Sequence, residues 1–284
     1  MPVFWRKLST CLRCQFSGEN SKGDMVLEFK GMMGGLYKIT EWIMRLAVIN
    51  LLWIACSIPF VFIAIVVLLT PAATTDTSMD SLIWGLIFLA IIAPFTIIPA
   101  SSAMFSVARK WVTGDEDVPL LKTFFRSYKE NYRQAMIGGF IFVILAAILT
   151  VNMKFYSGNT INSLGFLVYL FIVLFVFLIA AFFNFLSILA HFHMKIWQII
   201  KNSILLTLGN PIQSIGILVV NAFIIFIGYR FGKGFMYVFF TGSLIAYSTF
   251  WQFNRNLQKI QTKFEKQNAE KELLEQETKG NEIK

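Results

Sequence analysis

The chain has 284 residues, 56% of them hydrophobic and only 14% charged, with 30 Phe, 7 Pro and a mean hydropathy of +0.65. Soluble domains carry about 25% charged residues, so this is the composition of a chain that lives in lipid. The net charge of +9 does not point to nucleic acid, because Lys and Arg collect on cytosolic loops beside anionic lipid. Three cysteines (Cys11, Cys14 and Cys56) are too few for an extracellular disulfide framework.

Residues 1–41 read as a polar cytosolic N-terminal segment. Cys11 and Cys14 form a C-x-x-C, but with no second ligand pair and no βαβ context they predict neither zinc nor redox chemistry. A cleaner pattern starts at Met33. No secretory cleavage pattern is present, so the first apolar segment is expected to act as an uncleaved anchor.

Residues 42–251 predict an all-α polytopic membrane domain, a bundle of six transmembrane helices with interfacial cytosolic helices. The expected spans are 46–69, 82–108, 135–151, 164–190, 211–229 and 234–251, each about long enough for a hydrocarbon core roughly 30 Å thick. Pro59 should kink the first span, and Pro94 and Pro99 interrupt the second. The inner half of the second span is rich in small and hydroxyl residues, the composition of a closely packed helix. Gly138-Gly139 marks a close-packing point in the third. Residues 252–284 form a charged tail whose first half could continue the last helix and whose end reads as frayed or disordered.

Of the 25 Lys and Arg residues, 22 fall in 1–45, 109–134, 191–209 and 252–284; Lys154, Arg230 and Lys233 are the remainder. The positive-inside rule then places both termini in the cytosol and makes the number of spans even.

The loop between the second and third spans is the most informative stretch. An acidic turn (Gly114, Asp115, Glu116, Asp117) precedes Pro119, with Asp117 expected as a helix N-cap. Beyond it Leu121, Phe124, Phe125, Tyr128 and Tyr132 share one helical face, and Lys122, Arg126, Lys129 and Arg133 another. A helix of that kind lies in the headgroup layer of an anionic leaflet or docks a partner. The loop 191–209 reads as a second interfacial helix, with Ile196, Trp197, Ile200, Ile204 and Leu205 as its apolar set. His191 and His193 stand about 200° apart on a helix, so they cannot share a metal and read as solvated interface residues. Lys129 and Asn131 in one loop, and Lys201 and Asn202 in the other, give a weak internal echo.

No Asp or Glu falls inside a span, which argues against proton- or sodium-coupled transport. There is no phosphate-binding loop, nucleotide fingerprint or catalytic Ser–His–Asp setting, so no catalytic residue, cofactor or metal is expected. Asn50, Asn184 and Asn221 read first as amides bonding across helices. Were they to converge with Ser101, Ser102 and Tyr247, they would suit a neutral polyhydroxyl ligand such as a sugar.

Several motifs together resemble the YesL-like family of bacterial integral membrane proteins, a domain of unknown function, over about 33–258. They are Met33-Gly34-Gly35-Leu36-Tyr37, the block from Asn50 and Trp53 to Ser57 and Pro59, Pro99-Ala100-Ser101-Ser102, Val107-Ala108-Arg109-Lys110, Gly114-Asp115-Glu116, and Phe124 through Gln134. The resemblance implies a multi-span bundle in a bacterial plasma membrane and association with carbohydrate uptake, and supplies no catalytic residues. The expected function is a non-catalytic accessory of an ABC-type carbohydrate uptake system, touching permease or ATPase subunits as well as the bilayer. The alternative is a stand-alone transporter or channel for a neutral small solute.

Overall fold

The computed structural model describes residues 32–73, 79–115, 117–158, 166–232 and 234–282. Among them the chain is helical, with no strand. Its helices are α1 (Met32–Cys56), α2 (Ile58–Ala73), α3 (Met79–Ile92), α4 (Ile97–Val112), α5 (Leu120–Gly158), α6 (Leu167–His191), α7 (Ile196–Gly209), α8 (Pro211–Gly232) and α9 (Gly242–Glu282), with a π-helical turn at Tyr237–Thr241 leading into α9. Residues 42–254 form one compact unit, and the described parts of both ends (32–41 and 255–282) contribute a smaller one. Cys11 and Cys14 lie outside the described residues.

The prolines set the breaks. Pro59 has no N–H to give the carbonyl four residues back and its ring crowds that turn. Accordingly α1 stops at Cys56, Ser57 forms a single turn and α2 begins at Ile58. Pro94 and Pro99 do the same between α3 and α4, which meet at a bend of 51° across a break of four residues. There the Thr96 hydroxyl donates to the Ile92 carbonyl at 3.1 Å and the Tyr132 hydroxyl to the Phe95 carbonyl at 3.1 Å. Phe95 is the residue whose helical partner Pro99 would have been, so Tyr132 satisfies the acceptor that the proline leaves open.

The core is one-sided. Small residues let α4 run through the centre, buried almost continuously from Ile98 to Ala108. The second half of α6, from Ala180 to His191, packs on it, while Tyr169, Leu170 and Val173 in the first half are exposed. Helix α6 also touches α5, α7 and α8. Gly138 and Gly139 make α5 fit: a Cβ on Gly138 would run into the Phe185 ring, and one on Gly139 would come within 2.8 Å of Ile98 Cδ1.

Among the described residues four helices are long and apolar enough to cross a membrane (Tyr37–Cys56, Leu120–Ser157, Leu167–His191 and Pro211–Arg230), or five segments if the bent α3–α4 pair counts as one span. The first of these ends at Cys56 and not at 69, because of the break at Ser57, and it starts at Tyr37, before the expected 46.

Three expectations need correction. Helix α9 continues to Glu282 instead of fraying, in keeping with a tail rich in the strong helix formers Glu, Lys, Gln and Leu. Helix α5 is a single piece of 39 residues, so the amphipathic stretch and the span behind it are one rod of about 58 Å. Asp117 does not cap it. The helix begins at Leu120, and the Asp117 carboxylate accepts from the Arg45 guanidinium at 2.7 Å.

Candidate functional site

The candidate site is the N-terminal third of α5 with the helix ends that brace it. Its approach is built by a Schellman turn. Helix α4 ends with Gly114 at φ +95°, the Asp115 N–H bonding the Lys110 carbonyl at 3.0 Å and the Gly114 N–H the Trp111 carbonyl at 3.3 Å. Glycine at that position meets no Cβ penalty. The turn brings Asp115 to Lys110 Nζ at 3.6 Å and carries Asp117 to Arg45 of α1. The Arg45 side chain is buried while Asp117 is exposed, so the pair clamps α1 to the loop from within. Beside it Trp42 makes edge contacts with Trp111 and Tyr247, with ring centroids 5.6 and 5.7 Å apart.

The expected division of α5 into an aromatic and a basic face is not what packing produces. Phe124 is fully buried, and Tyr128 and Tyr132 are half-buried behind it in a run of ring contacts. The Asn131 amide reaches Ser106 of α4 at 3.4 Å. Most of the aromatic stripe therefore faces protein, not lipid, because it is what seats α5 on the bundle. The outward face combines the remaining apolar residues with the charges. Leu121 (57% exposed) and Phe125 (50%) stand among Lys122, Arg126, Lys129 and Arg133, all exposed. Arg126 is engaged by Glu130 one turn on, at 2.9 Å. Lys122, Lys129 and Arg133 have no ion-pair partner among the described residues.

The polar span residues are spent on separate contacts. Asn50, fully buried, donates through Nδ2 to the carbonyls of Tyr237 (3.0 Å) and Val238 (2.7 Å) and accepts from the Ser243 N–H at 3.0 Å. It thereby serves the backbone that the π-helical turn disturbs, and Gly242 lies so close that an added Cβ would be 2.6 Å from Asn50 Oδ1. Asn184 donates to Thr207 of α7 at 2.9 Å, and Asn221 to Thr249 of α9 at 2.9 Å, with Ser248 donating back to it at 3.2 Å. Ser101 accepts from the Trp53 indole at 3.0 Å. Ser102 is buried with its hydroxyl unpartnered among the described residues, and Tyr247 is half-buried against Trp42. This is helix bonding of the kind expected for buried amides. No hydrogen bond links the three asparagines to one another among the described residues.

Sequence reasoning missed three groups. Arg45 and Asp117 are 72 residues apart and carry no local signal. Arg109 read only as a topology charge. His191 is buried against Phe192, Phe250 and Phe253, so it is not a solvated interface histidine, although His193 is exposed.

These features define an all-helical protein with several helices of membrane-crossing length and a basic helix face at one end. Residues 46–153 match the family model described as "Protein of unknown function, DUF624". The chain is 27% identical over 228 residues to the Bacillus subtilis protein "Uncharacterized protein YesL", covering 78% of this chain and 88% of that one. "Uncharacterized protein YteU" of the same organism is 28% identical over 224 residues, covering 78% and 84%. "Uncharacterized protein YesV", also from that organism, matches at 37% over 70 residues, a third of its length. No solved structure matches. The chain is thus similar to YesL and YteU over most of its length, and its residues 46–153 match the DUF624 model.

Proposed function

We propose that this is a multi-pass protein of a bacterial plasma membrane, with six spans and both termini on the cytosolic side, acting as a non-catalytic accessory component of an ABC-type carbohydrate uptake system. The observation that carries the reading is the outward face of α5, where exposed Leu121 and Phe125 lie among Lys122, Lys129 and Arg133, none of them ion-paired among the described residues. Apolar anchors ringed by free charge are the composition of a docking surface, the anchors for affinity and the charges for encounter and orientation. Because α5 is one rod twice as long as a hydrocarbon core, that face projects out of the lipid. Six spans follow if the helices either side of Ser57 cross as one, the bent α3–α4 pair as a second, and the segment from the π-helical turn to Trp251 as the last. The distribution of Lys and Arg then orients them. Helix α7, with Trp197 71% exposed and Leu208 61% exposed, is the interfacial helix in this arrangement. Uptake of carbohydrate is taken from the family resemblance, and the partners are the permease or ATPase subunits of such a system.

The test is co-purification in mild detergent from native membranes. Wild-type protein should bring down permease or ATPase subunits. Reversing three charges (Lys122→Glu, Lys129→Glu, Arg133→Glu) should lower their recovery at least roughly tenfold, as three surface pairs of about 0.5 kcal/mol each would. The membrane level of the variant itself should not change. Full recovery by the triple variant, or a wild-type protein that always comes alone, would sink the proposal. In the second case solute flux by the protein alone in liposomes would support the stand-alone transporter.

A further inference from the structure

Arg109 and His191 make a pair that the docking face does not use. Arg109 stands in the last turn of α4, where the helix dipole favours a cation. Its neighbour Lys110 is matched by Asp115, and Arg45 by Asp117. Arg109 is half-buried, and no carboxylate meets it among the described residues. Its side chain's one hydrogen bond there is long, 3.5 Å from Nη1 to the backbone carbonyl of His191. His191 is 9% exposed, and both Nδ1 and Nε2 are buried without a hydrogen-bond partner among the described residues. The rings of Phe192, Phe250 and Phe253 wall it in, with centroids 4.5, 5.9 and 6.4 Å away.

The helix dipole explains a cation here. It does not explain an imidazole buried with neither nitrogen bonded, since buried polar groups find partners and leaving one bare is costly. A guanidinium lacking a counter-ion among the described residues, touching the backbone carbonyl of a histidine whose buried imidazole is unbonded there and walled by apolar rings, supplies donors and no acidic acceptor. We infer that Arg109 and His191 form a binding site for a phosphoryl oxyanion at this end of the bundle, the guanidinium forking onto two oxygens and the imidazole N–H donating to a third. Planar guanidinium matches phosphate in this way, and a lysine would not. The anion has two sources of the same chemistry: the phosphodiester of an anionic lipid headgroup, or free phosphate and small phosphorylated solutes.

The test uses the full chain in a maltoside detergent, with no phosphate present. Unfolding midpoint and adduct formation by native mass spectrometry are followed as inorganic phosphate is titrated, and separately as phosphatidylglycerol is titrated, with a maltoside-only blank. Binding of phosphate assigns the site to a soluble anion; binding of phosphatidylglycerol alone assigns it to lipid. In either arm Arg109→Gln should weaken the apparent affinity at least about tenfold, as loss of charged hydrogen bonds would. His191→Phe should weaken it less, and His191→Gln, which keeps an N–H, less again. Arg109→Lys retains the charge for folding and should still bind measurably more weakly. Lys122→Gln, on the outward face of α5, should bind like wild type. Failure of both ligands to bind wild-type protein would overturn the site, as would affinities that Arg109→Lys and His191→Phe leave unchanged.

Discussion

Asn50→Leu is expected to destabilise the protein by roughly 3–5 kcal/mol, the largest loss predicted for any of its polar span residues. The reason lies in what the amide bonds. Two carbonyls and one N–H of the π-helical turn and the start of α9 depend on it, and all three stay in place when the side chain is removed. Backbone groups cannot turn to a new partner, and unsatisfied groups away from water cost about 1–3 kcal/mol each. Asn221→Leu should cost less, about 0.5–1.5 kcal/mol. Its partners Thr249 and Ser248 are hydroxyls, which can rotate to carbonyls of their own helix, as Ser248 already does to Ile245. Denaturation in detergent, followed by retention of a monodisperse species, would measure both. Equal losses would contradict the role given to Asn50.

Gly138→Val should be nearly as damaging, by about 2–4 kcal/mol, and Gly138→Ala should already be destabilising despite regaining about 1 kcal/mol of helix propensity. The added Cβ meets the Phe185 ring, which is fully buried and fixed between Phe142 and Phe182 at 5.2 and 6.4 Å. The ring cannot swing away without moving two others. Pairing Gly138→Ala with Phe185→Leu should therefore recover part of the loss, since a smaller side chain leaves room for the methyl. Strict additivity of the two single losses would show that the contact is not where the cost arises.

Much of the fold was legible because it is written in local terms. Apolar runs and prolines predicted the breaks near Pro59 and Pro94, the small residues of 96–106 predicted a packed helix, and Gly138-Gly139 predicted a close approach. The continuity of α5 was half visible: nothing between Leu120 and Gln134 breaks a helix, but treating its amphipathic part as a separate surface element assigned its aromatic stripe to lipid. Whether Phe124 and Tyr128 face lipid or α4 depends on where α4 lies, which no periodicity records. The site was less legible still. The basic residues of α5 could be listed, but not that Arg126 is taken by Glu130 while its neighbours are free. His191 sits next to polar residues in sequence and is buried only because Phe250 and Phe253 arrive from α9, about sixty residues on. The π-helical turn has no signal of its own; it is supported by Asn50, nearly two hundred residues away.

The proposed docking role rests on the outward face of α5. The most direct measurement replaces Phe125 with a photo-cross-linking phenylalanine analogue and irradiates native membranes under induced carbohydrate uptake. A cross-link to a permease or ATPase subunit is expected from position 125, and none from the same probe at Phe223, an exposed apolar position on α8. If position 125 captured only lipid, as position 223 should, the docking face would not exist.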